Sequence, residues 1–106
     1  MAWVYILLCA DGSYYVGSTI DRERRLWEHN YSHEGASYTR RPGRRPARMV
    51  WSADFSSIEQ AFAFEKRVQG WSRKKREALI RGDYEGLVAL AKRKAVQERL
   101  GGIEGG

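Results

Sequence analysis

The N-terminal segment constrains the fold more than any other part of the chain. Residues 3–9 (WVYILLC) form an unbroken apolar run of strand length, which is typical of a central strand covered on both faces. The turn signal ADGS at 10–13 separates this run from a second aromatic and β-branched run, YYVGS at 14–18. The two runs predict a β-hairpin whose first strand lies in the middle of a small sheet.

Capping signals and turn residues organise the rest of the chain. Overlapping capping boxes, Ser56 with Glu59 and Ser57 with Gln60, predict the start of a helix. Together with the hairpin, the predicted elements are a helix at 21–33 capped by Asp21, a loop at 34–46, a strand at 47–55, and helices at 58–70, 72–80 and 83–100. The order ββα-β-ααα predicts an α+β fold, with a small antiparallel sheet flanked by helices.

Length and composition bound the class of protein. A chain of 106 residues predicts one main domain, at 1–82, followed by a C-terminal helix at 83–100 and a Gly-rich flexible tail at 101–106. No apolar run approaches the roughly 18 residues of a membrane span, and residues 1–10 lack the flanks of a signal peptide. The single Cys9 excludes an internal disulfide and a zinc cluster. We therefore expect a cytoplasmic protein without a membrane partner.

The positive charge is concentrated in the middle of the chain. The formal net charge is +6, and residues 40–76 hold 11 basic and 3 acidic residues. A basic segment on a slightly acidic frame is typical of a surface that binds a polyanion. A solvated, soluble face explains the same charge equally well.

Glu65 is the first candidate for chemistry. It lies in a helical stripe with Ile58, Ala61, Phe62 and Val68, which we expect to face inward. A carboxylate on an inward-facing stripe is costly unless it is paired or bound to a metal. An ordinary ion pair with an arginine is the alternative interpretation.

Arg25 and His29 are the second candidates, on the predicted helix at 21–33. They are four residues apart and therefore project side by side, whereas Leu26 and Trp27 are the more obvious packing residues. Arginine suits phosphate, and histidine exchanges a proton near neutral pH. A mixed-charge solvated face remains the alternative.

Tyr5 and Tyr15 can act together only if both lie on one face of the hairpin. In an antiparallel pair this requires a loop with an odd number of residues, such as 10–12 or 11–13, with Gly12 at positive φ. A two-residue loop of Asp11 and Gly12 would place the tyrosines on opposite faces. The register therefore tests whether the tyrosines form a site.

In this order the candidate residues resemble the GIY-YIG nuclease family. The resemblance covers roughly residues 3 to 80, and it is strongest to short stand-alone bacterial members, through stretches such as CADGSYYVGST, DRERRLWEHN and ASYTRRPGRRPARMVW. The matching positions are Trp3-Val4-Tyr5, then Tyr15-Val16-Gly17 ten residues after Tyr5, then Arg25 with His29, and then Glu65 in a capped helix.

The resemblance implies metal-dependent hydrolysis of nucleic-acid phosphodiesters on a small three-stranded sheet. Glu65 would hold one Mg²⁺ or Mn²⁺, and Tyr15 or Tyr5 would accept the proton of the attacking water. Arg25 would pair with the scissile phosphate, and His29 would orient the water or a tyrosine, or relay the proton. Unperturbed tyrosine has a pKa of about 10, so its role as a base needs a neighbouring cation or metal.

Three positions depart from the family pattern. Trp3 stands where the family name has Gly, and Ser18 follows the second motif where repair-incision members often have Lys. Asn30 is the only Asn, although many larger members place one late in the domain. Lys74 and Lys75 are nearby cations, but they cannot accept hydrogen bonds as an amide does.

A basic surface with no separate reading domain predicts contacts to phosphates without sequence specificity. We expect DNA rather than RNA, cut in a structure-selective or nonspecific manner, with a possible protein partner supplying specificity. Five arginines, at 40, 41, 44, 45 and 48, would give a slope of log affinity against log salt of about −4.5. The expected nucleic-acid-binding residues are Gly17, Tyr38, Arg40, Arg41, Arg44, Arg45, Lys74 and Lys75.

Two other functions remain open on the sequence alone. The missing late Asn, Ser18 and the lack of a recognition domain are compatible with a nucleic-acid-binding module that has little or no activity, or that needs a partner protein. The helix from Tyr84 to Leu100 could instead dock the chain onto a larger enzyme as an adaptor.

Overall fold

The N-terminal hairpin has the register that places both tyrosines on one face. The computed structural model describes residues 1–90, with β1 at Ala2–Leu8 and β2 at Tyr14–Thr19. Leu7 lies opposite Tyr15, and Tyr5 lies opposite Gly17. The Cys9 amide donates to the Ser13 carbonyl at 2.8 Å, which closes a three-residue loop with φ of 84° at Gly12. Of the two loop lengths that the sequence leaves open, the structure has the odd one.

The third strand completes an antiparallel sheet around β1. Strand β3 spans Arg48–Phe55 and pairs with β1, so the strand order is β2-β1-β3. A register irregularity lies between Ile6 and Leu7. The central position of β1 explains its continuous apolar sequence, because side chains on both of its faces are covered. The predicted α+β class is confirmed.

Three helices join and cover the strands. Helix α1 spans Arg22–Tyr31, α2 spans Ser37–Arg40 and α3 spans Ile58–Gln69. The predicted caps form, since Asp21 accepts from the Arg24 amide and Ser57 from the Gln60 amide. Residues 34–46, which the sequence predicts as a loop, contain the helical turn α2; its N-cap is an alanine that gives no side-chain hydrogen bond, so the sequence carries no start signal there.

Each face of the sheet has its own core. On one face Tyr5, Leu7 and Cys9 are buried with Ala47 and pack against Leu26 of α1. Since cross-strand partners share a face, Trp51 and Phe55 lie on the opposite face with Ile6 and Ala2. Phe64 of α3 packs there, with ring centroids 6.2 Å from Trp51 and 5.4 Å from Phe55.

Two packing predictions are wrong. Trp27 is 57% exposed and lies beside Tyr31 on the outer face of α1, so Leu26 alone packs inward as expected. Ile58 and Phe62 are also exposed, because the buried side of α3 runs through Ala61, Glu65 and Val68 instead.

Residues 71–90 are the described part of a second compact unit. Helix α4 spans Arg73–Arg81, between the predicted Ser72 cap and Gly82. Asp83 accepts from the Gly86 amide, and residues 84–90 are helical. The rest of the helix predicted to reach Leu100, and the tail at 101–106, lie outside the described residues, and the domain limits remain predictions. Within residues 1–90 no helix has the length and apolar character needed to cross a membrane.

Candidate active site

The two hairpin tyrosines lie side by side because a glycine faces them. The ring centroids of Tyr5 and Tyr15 are 6.4 Å apart. A Cβ at Gly17 would lie 2.5 Å from the Tyr5 hydroxyl oxygen and 3.0 Å from Cε2 of Tyr15. The absence of a side chain at Gly17 therefore makes room for both rings.

His29 comes from α1 into contact with both tyrosines. Its side chain is fully buried, and Nε2 lies 2.7 Å from the Tyr5 hydroxyl oxygen. The centroid of its ring is 5.0 Å from that of Tyr15. A solvated-face interpretation does not fit a histidine with no exposed surface, so α1 presents this residue to the hairpin.

Thr39 of α2 occupies the other side of the imidazole, and the sequence analysis did not identify it. It is fully buried, and its hydroxyl oxygen lies 2.8 Å from His29 Nδ1. The only signal in the sequence was its place beside Tyr38, in a stretch shared with the family. A one-turn helix inside a Pro- and Gly-containing segment gives no periodic pattern that would show which side chains point inward.

Arg25 borders the tyrosine cluster from α1. Its side chain is 25% exposed and donates to the Glu34 carbonyl at 2.9 Å and to Glu28 Oε1 at 3.2 Å. It also lies close enough to Tyr5 and Tyr15 to lower the pKa of each hydroxyl. The guanidinium is thus held by neighbours at the edge of the site while part of it remains accessible.

All three ring groups are uncharged at neutral pH, and burial moves each pKa further in that direction. Burial, reinforced by Tyr15, raises the pKa of Tyr5 well above its usual value, and burial also raises the pKa of Tyr15. Burial, followed by the charge of Arg25, lowers the pKa of His29 to about 4. Neither tyrosine is a phenolate in the free protein, and His29 is a neutral imidazole that can accept a proton.

Glu65 projects from α3 and is 8% exposed. Its Oε2 accepts from Gln69 Nε2 at 3.0 Å, and Gln69 also donates to the Val16 carbonyl of β2 at 3.3 Å. The charge of Glu65 raises the pKa of both Tyr5 and Tyr15. No lysine or arginine of residues 1–90 forms an ion pair with Glu65. Within those residues, the alternative interpretation of Glu65 as a member of an ordinary ion pair does not hold.

Tyr38 and Arg44 cover Tyr15 from the outside. The ring centroid of Tyr38 lies 5.6 Å from that of Tyr15, and the Arg44 guanidinium lies 3.6 Å over the Tyr38 ring. Arg44 also pairs with Asp11 of the hairpin loop at 3.2 Å and donates to the Tyr38 carbonyl. The guanidinium of Arg44 is therefore engaged by neighbours within the protein.

Arg45, expected at a nucleic-acid surface, instead holds the end of α1. Its guanidinium donates to the backbone carbonyls of Glu28, His29 and Ser32. The Glu28 and Ser32 carbonyls also accept from the Ser32 and Gly35 amides, whereas the His29 carbonyl lies in the last turn, where a helix leaves carbonyls without an intrahelical donor. Asn30 is likewise structural, since it exchanges hydrogen bonds with the Ala47 backbone at the entrance to β3.

The remaining basic candidates are three arginines of residues 40–48 and two lysines of α4. Arg40, Arg41 and Arg48 are exposed, and their side chains have no hydrogen-bond or ion-pair partner within residues 1–90. Lys74 and Lys75 belong to α4 in the second unit; Lys74 is exposed, and the Lys75 ammonium lies 4.3 Å over the Trp71 ring.

The chemistry of Glu65 fits a hard divalent cation. Within the described residues no three or more His, Cys, Asp or Glu side chains come together as metal ligands. Glu65 is a buried carboxylate that is oriented by an amide and has no cationic side chain of residues 1–90 against it. One carboxylate with waters and a substrate phosphate is a shell that suits Mg²⁺, which keeps much of its hydration.

Comparisons with known proteins show which family the chain resembles. The family model described as the GIY-YIG catalytic domain, a nuclease-type domain, matches residues 1–78. The UPF0213 protein BH0048 of Halalkalibacterium halodurans is 45% identical over 92 residues, which cover 84% of this chain and 95% of that protein. The UPF0213 protein VNG_2274C of Halobacterium salinarum is 43% identical over 80 residues, covering 76% of this chain and 100% of that protein.

Two solution NMR structures are also similar. That of EF2693 from Enterococcus faecalis has a TM-score of 0.53 at 39% identity and covers 77% of this chain and 84% of that one. That of BH0048 has a TM-score of 0.49 at 46% identity and covers 81% and 93%. A match over residues 1–78, together with relatives above 40% identity along nearly their whole length, shows that the chain belongs to the GIY-YIG family and is similar to its short UPF0213 proteins.

Proposed function

We propose that the protein is a metal-dependent endonuclease that hydrolyses phosphodiesters of nucleic acid, with DNA as the expected substrate. The observation that carries the proposal is the contact between the hydroxyl of Tyr5 and the neutral imidazole of His29, at 2.7 Å. Arg25 at the edge of this pair and the buried carboxylate of Glu65 supply the groups that a phosphodiester and its metal would need.

The tyrosine pKa values favour a relay over a preformed phenolate. Because burial raises the pKa of both phenols, a tyrosine can take a proton from water only as it gives up its own. Tyr5 has an acceptor for that proton in His29 Nε2. The attacking water loses a proton to the Tyr5 oxygen, and the Tyr5 proton passes to His29. The resulting hydroxide forms the new P–O bond as the bond to the leaving oxygen breaks, and that oxygen takes a proton from solvent.

Arg25 and Glu65 complete the proposed chemistry. The accessible part of the Arg25 guanidinium pairs with a non-bridging phosphate oxygen, where charge accumulates in the transition state. Glu65 would hold the divalent metal, and Gln69 orients its carboxylate. A metal bound there would supply charge stabilisation at the phosphate.

Phosphate contacts from the surface arginines give binding without sequence information. Within residues 40–48, the exposed arginines whose side chains have no hydrogen-bond or ion-pair partner in residues 1–90 are Arg40, Arg41 and Arg48. Contacts of this kind position a backbone but do not read bases. We therefore propose structure-selective or nonspecific cutting, with a partner protein as the source of any sequence choice.

A cleavage panel tests the proposal. Labelled single-stranded, duplex, flapped and branched DNA, and RNA, are incubated with Mg²⁺, Mn²⁺ or EDTA. We expect cutting in metal and none in EDTA, and a loss of about 10²-fold or more in Tyr5→Phe, which keeps the ring but removes the hydroxyl of the relay. Binding to the panel without cutting under either metal would contradict the proposal and favour a binding module.

A further inference from the structure

The hydrogen bonds of Thr39 determine where the proton of His29 resides. The Thr39 hydroxyl donates to the Ala36 carbonyl at 3.0 Å. A hydroxyl has one hydrogen, so toward His29 the same oxygen acts only as an acceptor. In this arrangement His29 Nδ1, 2.8 Å away, carries the hydrogen of that contact.

The protonation state of His29 Nε2 follows from that of Nδ1. The pKa of His29 lies near 4 because of burial, so the ring is neutral at pH 7 and has one N–H. With that hydrogen on Nδ1, Nε2 is bare and accepts from the Tyr5 hydroxyl. The hydrogen bonds thus run in one direction: Tyr5 donates to His29, His29 donates to Thr39, and Thr39 donates to the backbone at Ala36.

We propose that Thr39 is a positioning residue of the active site, which holds His29 in the tautomer whose Nε2 faces Tyr5 as a proton acceptor. The role rests on the proposed function, because the tautomer matters to catalysis only if Tyr5 passes a proton to His29. Thr39 would contact neither metal nor substrate and acts through the imidazole. It is fully buried, and no water molecule is needed to complete the chain of hydrogen bonds.

The opposite tautomer would block proton transfer from Tyr5 to His29. With hydrogen on Nε2, His29 would donate to the Tyr5 oxygen, and the Tyr5 proton would have no acceptor in the imidazole. Removing the Thr39 oxygen favours that state, since a buried Nδ1–H without an acceptor is costly. The backbone of His29 would stay in place, because Arg45 still holds its carbonyl.

Nitrogen NMR of ¹⁵N-histidine-labelled protein reads the tautomer directly, without any cleavage. The chain has two histidines, and the exposed His33 serves as an internal reference. We expect the free wild-type protein to show His29 protonated on Nδ1. Thr39→Val, which keeps the shape of the side chain but removes its oxygen, should move the hydrogen to Nε2 or give a mixture of tautomers. Thr39→Ser, which keeps the hydroxyl, should show the wild-type pattern. Ser37→Ala, an exposed hydroxyl lost from the same helix, is the matched control and should change nothing.

Kinetics separate positioning from folding. On a substrate that the wild type cuts, Thr39→Val should lower kcat by about 10- to 100-fold with KM within about twofold, while Thr39→Ser stays near wild type. If Thr39→Val does not fold, Thr39→Cys gives the same test, because a thiol is a weak acceptor. A wild-type His29 protonated on Nε2, or a Val or Cys variant with unchanged tautomer and kcat, would overturn the proposal. A tautomer that responds as expected in a protein that cuts no substrate would contradict the proposed function while leaving the hydrogen-bond assignment of Thr39 intact.

Discussion

At the scale of single residues, the site depends on the missing side chain at Gly17. Because a Cβ there would lie 2.5 Å from the Tyr5 hydroxyl oxygen and 2.7 Å from Cζ, Gly17→Ala must displace a fully packed ring. We expect the free energy of unfolding to fall by about 1–3 kcal/mol in urea denaturation, with the hydrogen bond to His29 broken. Gly70→Ala is the control, since its nearest contact would be 3.5 Å and its φ is −82°. Equal stabilities of the two variants would contradict this account of Gly17.

His29 makes the stability depend on pH in a defined direction. Its pKa is lowered from 6.5 to about 4 in the folded protein, so the unfolded chain binds the proton more readily. Its contribution to stability is therefore fully present above about pH 6.5 and is lost as the pH falls toward 4. Between pH 7.5 and 5 the free energy of unfolding should drop by about 2 kcal/mol from this group.

Urea titrations at several pH values measure that drop. The drop should persist in His33→Gln, which alters the exposed histidine, and largely disappear in His29→Gln. A wild-type protein whose stability is flat from pH 7.5 to 5, or a drop that survives in His29→Gln, would show that His29 is not buried as a neutral group.

At the scale of elements, Arg45 joins the end of α1 to the segment that follows α2. Its hydrogen bonds to the Glu28, His29 and Ser32 carbonyls hold the turn of helix that carries the imidazole. Arg45→Ala should lower the free energy of unfolding by about 2 kcal/mol, as expected for hydrogen bonds made by a charged group. Arg41→Ala, in an exposed position of the same segment, should leave stability within about 0.5 kcal/mol. Thermal and urea denaturation compare the two, and equal losses would refute a capping role for Arg45.

The elements with strong local signals were predictable, and the one without them was not. The hairpin itself followed from its turn signal, although two loop lengths stayed open, and α1 and α3 began at the caps that the sequence supplies. Helix α2 has no capping side chain and lies among prolines and glycines, so tertiary packing rather than propensity decides it. Thr39 was missed for the same reason. Trp27 was misplaced because an aromatic residue on a short helix can lie on either face.

At the scale of the whole molecule, Arg44 and Arg45 are engaged in contacts within the protein, which lowers the number of positive charges available to a polyanion. Three exposed arginines rather than five give a slope of log affinity against log salt of about −2.7 from this segment instead of −4.5. Arg41→Ala should make the measured slope shallower by about 0.9, whereas Arg44→Ala should leave it unchanged. Fluorescence anisotropy across a salt series tests this, and a slope that changes equally in both variants would contradict the assignment.

The composition of the site was readable from sequence, but its electrostatics were not. Spacing and the family resemblance pointed to Tyr5, Tyr15, Arg25, His29 and Glu65, and the structure brings both tyrosines, Arg25 and His29 together, with Glu65 close enough to act on both tyrosine pKa values. Burial, which depends on the whole fold, raises the pKa of both phenols and keeps His29 neutral at pH 7. It also separates Arg45, bound to helix carbonyls, from Arg41, four positions from it in a sequence of similar residues.

The most direct test of the account compares two carboxylates on one helix. Glu65 is buried beside the tyrosines, and Glu59 is exposed in the first turn of α3. The single-turnover cleavage rate in Mg²⁺ is measured for the wild type, Glu65→Gln and Glu59→Gln on the substrate selected by the panel, with affinity measured separately in EDTA. We predict that Glu65→Gln loses cleavage by about 10³-fold or more with affinity kept within a few-fold, and that Glu59→Gln matches the wild type. Full cleavage by Glu65→Gln, or equal losses in both variants, would contradict the account.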